Sequence, residues 1–108
     1  MKVSYRQAAS DDLVRQFRYY LVTLNLPDVA VRFRTAVRQT VQSLLQHPRV
    51  GPRYRSRNPQ LQILRTWTVA GFEAIRIYYL LDEDTLRVIR ILHGKHNIKR
   101  ILEGDAGD

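Results

Sequence analysis

Three arginines recur amid apolar neighbours in the second half of the chain: Arg65, Arg76 and Arg90. A guanidinium presents a planar fork of donors that fits carboxylates and phosphates. Just beyond the third, the run His93-Gly94-Lys95-His96-Asn97 adds two imidazoles and an ammonium. An imidazole changes charge near neutral pH and can shuttle protons. Arg65, Arg76 and Arg90 with His93, Lys95 and His96 therefore make a basic cluster on a rigid sheet, which is where function is expected. Each arginine taken singly is as well suited to structural pairing with Glu73 or the Asp82-Glu83-Asp84 turn. Three together point to a cleft. A further cluster, Arg53, Tyr54, Arg55 and Arg57, has the alternation to clamp phosphate and stack a base, or to lie against an acidic protein segment. Its plainer role is that of a flexible connector. Two histidines without a nearby carboxylate give little support for zinc. No metal or cofactor is expected.

These side chains must be held by a sheet. Leu61–Val69, Phe72–Leu81 and Thr85–His93 are rich in β-branched and aromatic residues, and turn residues separate them. They predict a three-stranded antiparallel meander. The alternation places Leu61, Ile63, Arg65, Trp67 and Val69 on one face of the first strand. It sets Leu86, Val88, Arg90 and Leu92 together on the last. Both faces of the last two strands are largely apolar, so both should be at least partly covered. Upstream, Val3 and Tyr5 alternate with polar residues as a short first strand. Ser10 resembles an N-cap with Asp11 and Asp12 in the first helical turn. Leu13, Val14, Phe17, Tyr20, Leu21 and Leu24 form one apolar stripe at helical spacing. Asp28 is placed to cap a second helix, which runs to His47-Pro48 and must lie antiparallel to the first. Asn97 can cap a short last helix. The expectation is one α+β domain over residues 1–103, with a flexible tail at 104–108.

The chain has 108 residues, no cysteine and a formal charge of +8. Disulfides and thiolate metal sites are excluded. No segment reads as a membrane span or signal peptide, which makes the cytoplasm the expected location. No acid occurs between Asp28 and Glu73, a span that holds eight arginines, among them Arg32, Arg34, Arg38 and Arg49. Such a field attracts a polyanion or an acidic protein.

The order of strand, helix pair, basic loop, three-stranded meander and terminal helix resembles the RelE/ParE superfamily of type II toxin–antitoxin toxins. The residues that carry the resemblance are Pro48-Arg-Val-Gly-Pro52, Arg65-Thr-Trp-Thr-Val-Ala-Gly-Phe72, Ile75-Arg-Ile-Tyr-Tyr79 and Ile89-Arg-Ile-Leu-His-Gly-Lys-His-Asn97. The resemblance implies a RelE/ParE-like fold and a toxin neutralised by a cognate antitoxin. Two activities diverge within the superfamily. The RelE-like branch cleaves messenger RNA on the ribosome, for which Arg65, Arg76, His93 and His96 are the candidate catalytic residues. The ParE-like branch poisons DNA gyrase without an established hydrolytic site. The RelE-like pattern has a catalytic tyrosine or histidine near the C-terminus and basic or acidic catalytic groups after the helix pair, and this chain departs from both. The His-Gly-Lys-x-Asn ending is similar to the ParE-like branch, although His96 replaces a more usual arginine. Gyrase is thus the favoured target, with ribosome and message as the alternative. Operator DNA would be met only through the antitoxin. Arg53, Arg55, Arg57, Arg65, Arg76, Arg90 and Lys95 are the expected partner-binding residues, and the apolar groove beside the helix pair is an expected antitoxin seat.

Overall fold

Alternation and turn chemistry produce the expected sheet, with the short first strand read at Val3 and Tyr5 as its edge. A computed structural model describes residues 1–106. Strand β1 (Lys2–Tyr5) leads into helix α1 (Gln7–Arg18), a π-helical turn (Tyr19–Thr23) and helix α2 (Pro27–Gln46). A loop with a 3-10 turn at Pro59–Leu61 precedes β2 (Arg65–Val69), β3 (Phe72–Asp82) and β4 (Thr85–His93). Helix α3 (Ile98–Ala106) follows. The meander is antiparallel, and β1 joins it by parallel pairing with β4, giving the order β1-β4-β3-β2. The expected α+β architecture is the one observed. Helix α3 runs past Glu103, where the tail was placed, to Ala106. Gly107 and Asp108 lie outside the described residues.

Several boundaries differ from the sequence reading, each for a local reason. Helix α1 begins three residues before Ser10. The Arg6 N–H is held by Val88 O at 3.0 Å, the chain turns there, and Ser10 N–H donates to Arg6 O at 3.1 Å. Ser10 is therefore inside the helix, and Asp12 lies two residues further on, buried. Pro27 itself starts α2, where its missing N–H costs nothing. Asp28 sits in the first turn and is not the cap. Residues 61–64 are not strand, because the 3-10 turn at Pro59 carries the chain into β2 only at Arg65. Asn97 does cap α3, its Oδ1 accepting from Arg100 N–H at 3.2 Å.

A bulge in β4 decides which side chains share a face. Tyr78 pairs with Arg90 and Tyr79 with Val88, so Ile89 is extra. The alternation flips across it. Leu86, Val88 and Ile91 pack with Ile75, Ile77 and Tyr79 beneath α2, whose Phe33, Val37 and Leu44 fill this first core. Ile89 and Leu92 join Tyr78, Leu61, Leu64 and Leu102 in a second core, on the side of α3. Arg90 thus leaves the face of Leu86 and Val88 that plain alternation assigned to it.

Tyr79 ties the basic loop to the first core. Its hydroxyl donates to Pro48 O at 2.7 Å and accepts from Gly51 N–H at 3.2 Å. A Cβ on Gly51 would stand 2.6 Å from that hydroxyl and 2.7 Å from Thr66 O, so only glycine fits. Tyr79→Phe leaves both backbone groups without this partner and is expected to cost about 1–3 kcal/mol in a denaturant titration. Burial also raises the Tyr79 phenol above its usual 10.0, against the lowering influence of Gly51 N–H and Arg65. Burial raises Tyr5, Tyr20 and Tyr78 in the same direction. A phenol raised in the fold keeps its proton longer there than in the unfolded chain. Its contribution is whole below the unfolded value and fades as the pH climbs through the folded one. Stability should therefore drop on the alkaline side of 10.0, and less steeply in Tyr79→Phe.

Candidate functional site

Helix α1 has an unusual division of labour. Its fully buried residues are Ala9 and Asp12. The apolar stripe of the sequence is not sunk into the core. Leu13 and Phe17 are half-buried, while Val14 is 53% and Leu21 38% exposed. With Tyr5 of β1 and Phe33 and Val37 of α2, these residues line an open groove of about 460 Å³ between the two helices. Arg18, Arg34 and Arg38 stand around it. Arg34 lies over the Phe17 ring, its Cζ 5.4 Å from the centroid. Tyr20, Phe33 and Phe72 meet at centroid distances of 5.5–5.8 Å and brace the groove from below. An apolar floor edged by guanidiniums suits an amphipathic helix with acidic flanks.

The residues expected to act together on phosphate are dispersed. Directly opposed residues share a face in an antiparallel pair. Arg65 opposes Tyr79, on the α2 side of the sheet; Arg76 opposes Thr68 and Leu92, on the α3 side. Their guanidiniums are also engaged. Arg65 donates to Gly51 O at 2.8 Å and Arg49 O at 3.2 Å, clipping the loop to the sheet. Arg76 donates to Thr66 Oγ1 at 3.1 Å. His93 opposes Ile75 and so faces away from Arg76. Its Nδ1 accepts from Lys95 N–H at 3.1 Å, and its ring stands edge-on to His96 at 6.5 Å. Lys95 and His96 are exposed beside a hollow of about 270 Å³ that also includes Arg15, Tyr19 and Asp12. The structure therefore does not bring Arg65, Arg76, His93 and His96 around one point.

Arg90 is the most fully engaged of the three inner arginines. Read from sequence as a partner-binding residue, it is committed to the interior of its own fold. Its Nε and Nη2 reach Asp12 Oδ2 and Oδ1 at 2.8 and 2.9 Å. Asp12 also accepts from Ile91 N–H at 2.9 Å and Arg15 Nη1 at 3.1 Å. Four donors fill the four lone-pair sites of the carboxylate. Asp12 is accordingly a strut and not a base, although it borders the His93 hollow. Sequence reasoning assigned it to a helix end. Its one available signal was an acid in line with small, buried Ala9 on the same helix face.

The loop arginines divide. Arg53 donates to Gln62 O at 3.2 Å and forms an isolated bridge with Arg65. Arg55 and Arg57 are exposed and border a cleft with Lys99 of α3. That cleft is on the far side of the sheet from the α1–α2 groove.

The family model for the ParE toxin of type II toxin–antitoxin systems, parDE, matches residues 3–98. Among solved structures, a chain of the chromosomal ParDE toxin–antitoxin system from P. aeruginosa superposes with a TM-score of 0.69 at 22% identity. The match covers 86% of this chain and 95% of that one, a likeness of fold. A comparison with curated protein sequences gave no match. With nearly its whole length under that model, the chain belongs to the ParE toxin family of type II toxin–antitoxin systems.

Proposed function

We propose that this chain is a cytoplasmic toxin directed at DNA gyrase, and that its antitoxin silences it by laying an amphipathic helix with acidic flanks in the α1–α2 groove. The apolar stripe running from α1 into the π-helical turn carries the antitoxin part. Leu13, Val14, Phe17 and Leu21 form a face at helical spacing that the fold itself leaves open. Covering it removes apolar surface from water and brings carboxylates to Arg18, Arg34 and Arg38. The Arg53–Arg57 loop lies across the sheet, so a helix in the groove does not reach it.

The gyrase part rests on the family and on the dispersal of acid–base groups. Cleaving a ribose phosphodiester takes a base, an acid and cations converging on one phosphate. Arg65 and Arg76 occupy opposite faces, and the oxygens of Asp12 are already engaged. Gripping a macromolecule needs no such convergence.

A supercoiling assay tests the reading. The purified toxin should block supercoiling and cause cleaved DNA to accumulate with gyrase, and its antitoxin should restore activity. Normal supercoiling at saturating toxin would end the proposal, and cuts in translated message at the ribosomal A site would move it to the RelE-like alternative. For the groove, Val14→Glu with Leu21→Glu places two carboxylates where an apolar face must land. Both positions are exposed, so the fold should stand. The antitoxin should bind about 100-fold more weakly by calorimetry, a loss of roughly 2.7 kcal/mol. Unchanged affinity would place the antitoxin elsewhere.

A further inference from the structure

The cleft between the basic loop and α3 is a second candidate surface, independent of the groove. It has a volume of about 480 Å³ and is bordered by Arg55, Arg57 and Lys99, with Glu103 as the acid among its lining residues. Among the described residues, the side chains of these three cations make no hydrogen bond or ion pair within the chain. Like charges around one hollow repel, so the loop must be held against them, and it is. Tyr54 N–H donates to Leu64 O at 2.8 Å, and Gln62 Nε2 donates to Ser56 O at 3.1 Å. Leu61 and Leu64 anchor its end in the second core, and the Tyr54 ring packs edge-on against Tyr78 at 5.9 Å.

The chemistry of the lining selects the occupant. Ser56 Oγ already accepts from Asn58 N–H at 3.0 Å, which leaves its hydroxyl proton to donate outward. Two guanidiniums, an ammonium and a hydroxyl therefore face one opening, and Tyr54 is the one aromatic or aliphatic side chain among the lining residues. An acidic amphipathic helix would find no floor here for its apolar face. A sugar–phosphate backbone makes no such demand: it offers a chain of anionic oxygens that accept from side-chain donors.

We propose that this cleft holds the phosphodiester backbone of a nucleic acid, so that the toxin touches nucleic acid directly and does so even with the α1–α2 groove filled. The proposal stands whether or not gyrase is the target. It differs from the expectation that operator DNA is met only through the antitoxin.

Fluorescence anisotropy with short labelled single-stranded and duplex DNA, over a salt series, tests it. The variant Arg55→Gln/Arg57→Gln/Lys99→Gln removes three charges from the cleft. The control Lys2→Gln/Arg6→Gln/Arg32→Gln removes three exposed charges from β1, its end and α2. The cleft variant should bind at least about tenfold more weakly near physiological salt. The slope of log K against log salt should shrink by about 2 for single strands or about 3 for duplex, as expected for three lost phosphate contacts. The control should change affinity less than about threefold. The tighter of the two DNA forms identifies the backbone geometry preferred. Equal losses in both variants would reduce the effect to the diffuse field of a basic protein and overturn the proposal. So would absence of binding by the unmodified chain. Competition by polyglutamate as effective, charge for charge, as that by DNA would assign the cleft to an acidic peptide instead.

Discussion

Asp12→Ala should destabilise the fold by about 3–5 kcal/mol, the range for removing one partner of a buried ion pair. The side chain of Asp12 is 1% exposed and that of Arg90 14%, so neither charge can be hydrated in compensation. The substitution takes the carboxylate from Arg90 and the acceptor from Ile91 N–H beside the β4 bulge. It also unlatches α1, which is joined to β4 through this carboxylate. A domain of this size has a total stability of about 5–15 kcal/mol, so the variant should sit close to its unfolding threshold at room temperature. Urea unfolding by circular dichroism gives the number. A companion variant, Asp12→Leu with Arg90→Met, removes both charges and should recover most of the loss. A loss below about 1 kcal/mol for the alanine variant would show that water takes the place of the carboxylate and that the strut is dispensable.

Phe33→Ala should cost a similar amount, about 3–5 kcal/mol, for a different reason. Phe33 is fully buried on α2 and meets Tyr20 and Phe72 at 5.6 and 5.5 Å. Its removal leaves a void under the groove that the two remaining rings, Tyr20 and Phe72, cannot easily fill. Val14→Ala, on the opposite wall and 53% exposed, should change stability by no more than about 0.5 kcal/mol. The pair separates residues that build the groove from residues that merely line it. Equal costs for both would mean that α1 packs more tightly than its exposure indicates. If Phe33→Ala retains the stability of the unmodified chain, the groove floor rests on other contacts.

The sheet and the helix pair were legible because their signals are local. Period-two alternation, the Ala70-Gly71 turn and the Asp82–Asp84 turn lie within a few residues of what they specify. Gly71 takes φ 80°, and the backbone of Glu83 takes φ 54° at the second turn. The groove was legible in part, since the stripe from Leu13 to Leu24 is plain in the sequence. Periodicity gives the orientation of a face but not whether anything covers it. The roles of the three inner arginines were not legible. The Asp12–Arg90 pair spans 78 positions. Assigning Arg90 also required the bulge, a single extra residue that no turn former announces. Arg65 and Arg76 look equivalent as arginines amid apolar residues, and only strand register sends them to opposite faces. Ser10-Asp11-Asp12 misled for a related reason. The pattern fits a cap, but β1 is pinned to β4 through Arg6 and the helix has already begun when Ser10 is reached.

The parallel pairing of β1 with β4 sets a timetable for synthesis. Lys2 is matched with Thr85 and Tyr5 with Val88, and α1 is fastened by a guanidinium at position 90. A nascent chain that has not yet released β4 from the ribosome has neither contact, and non-local pairings of this kind form late. Until then β1 has no neighbour and α1 has no anchor. The α1–α2 groove should therefore take its final shape only after the last strand emerges, and on the reading proposed above an antitoxin beside the ribosome would meet a toxin that becomes recognisable and folded in the same step.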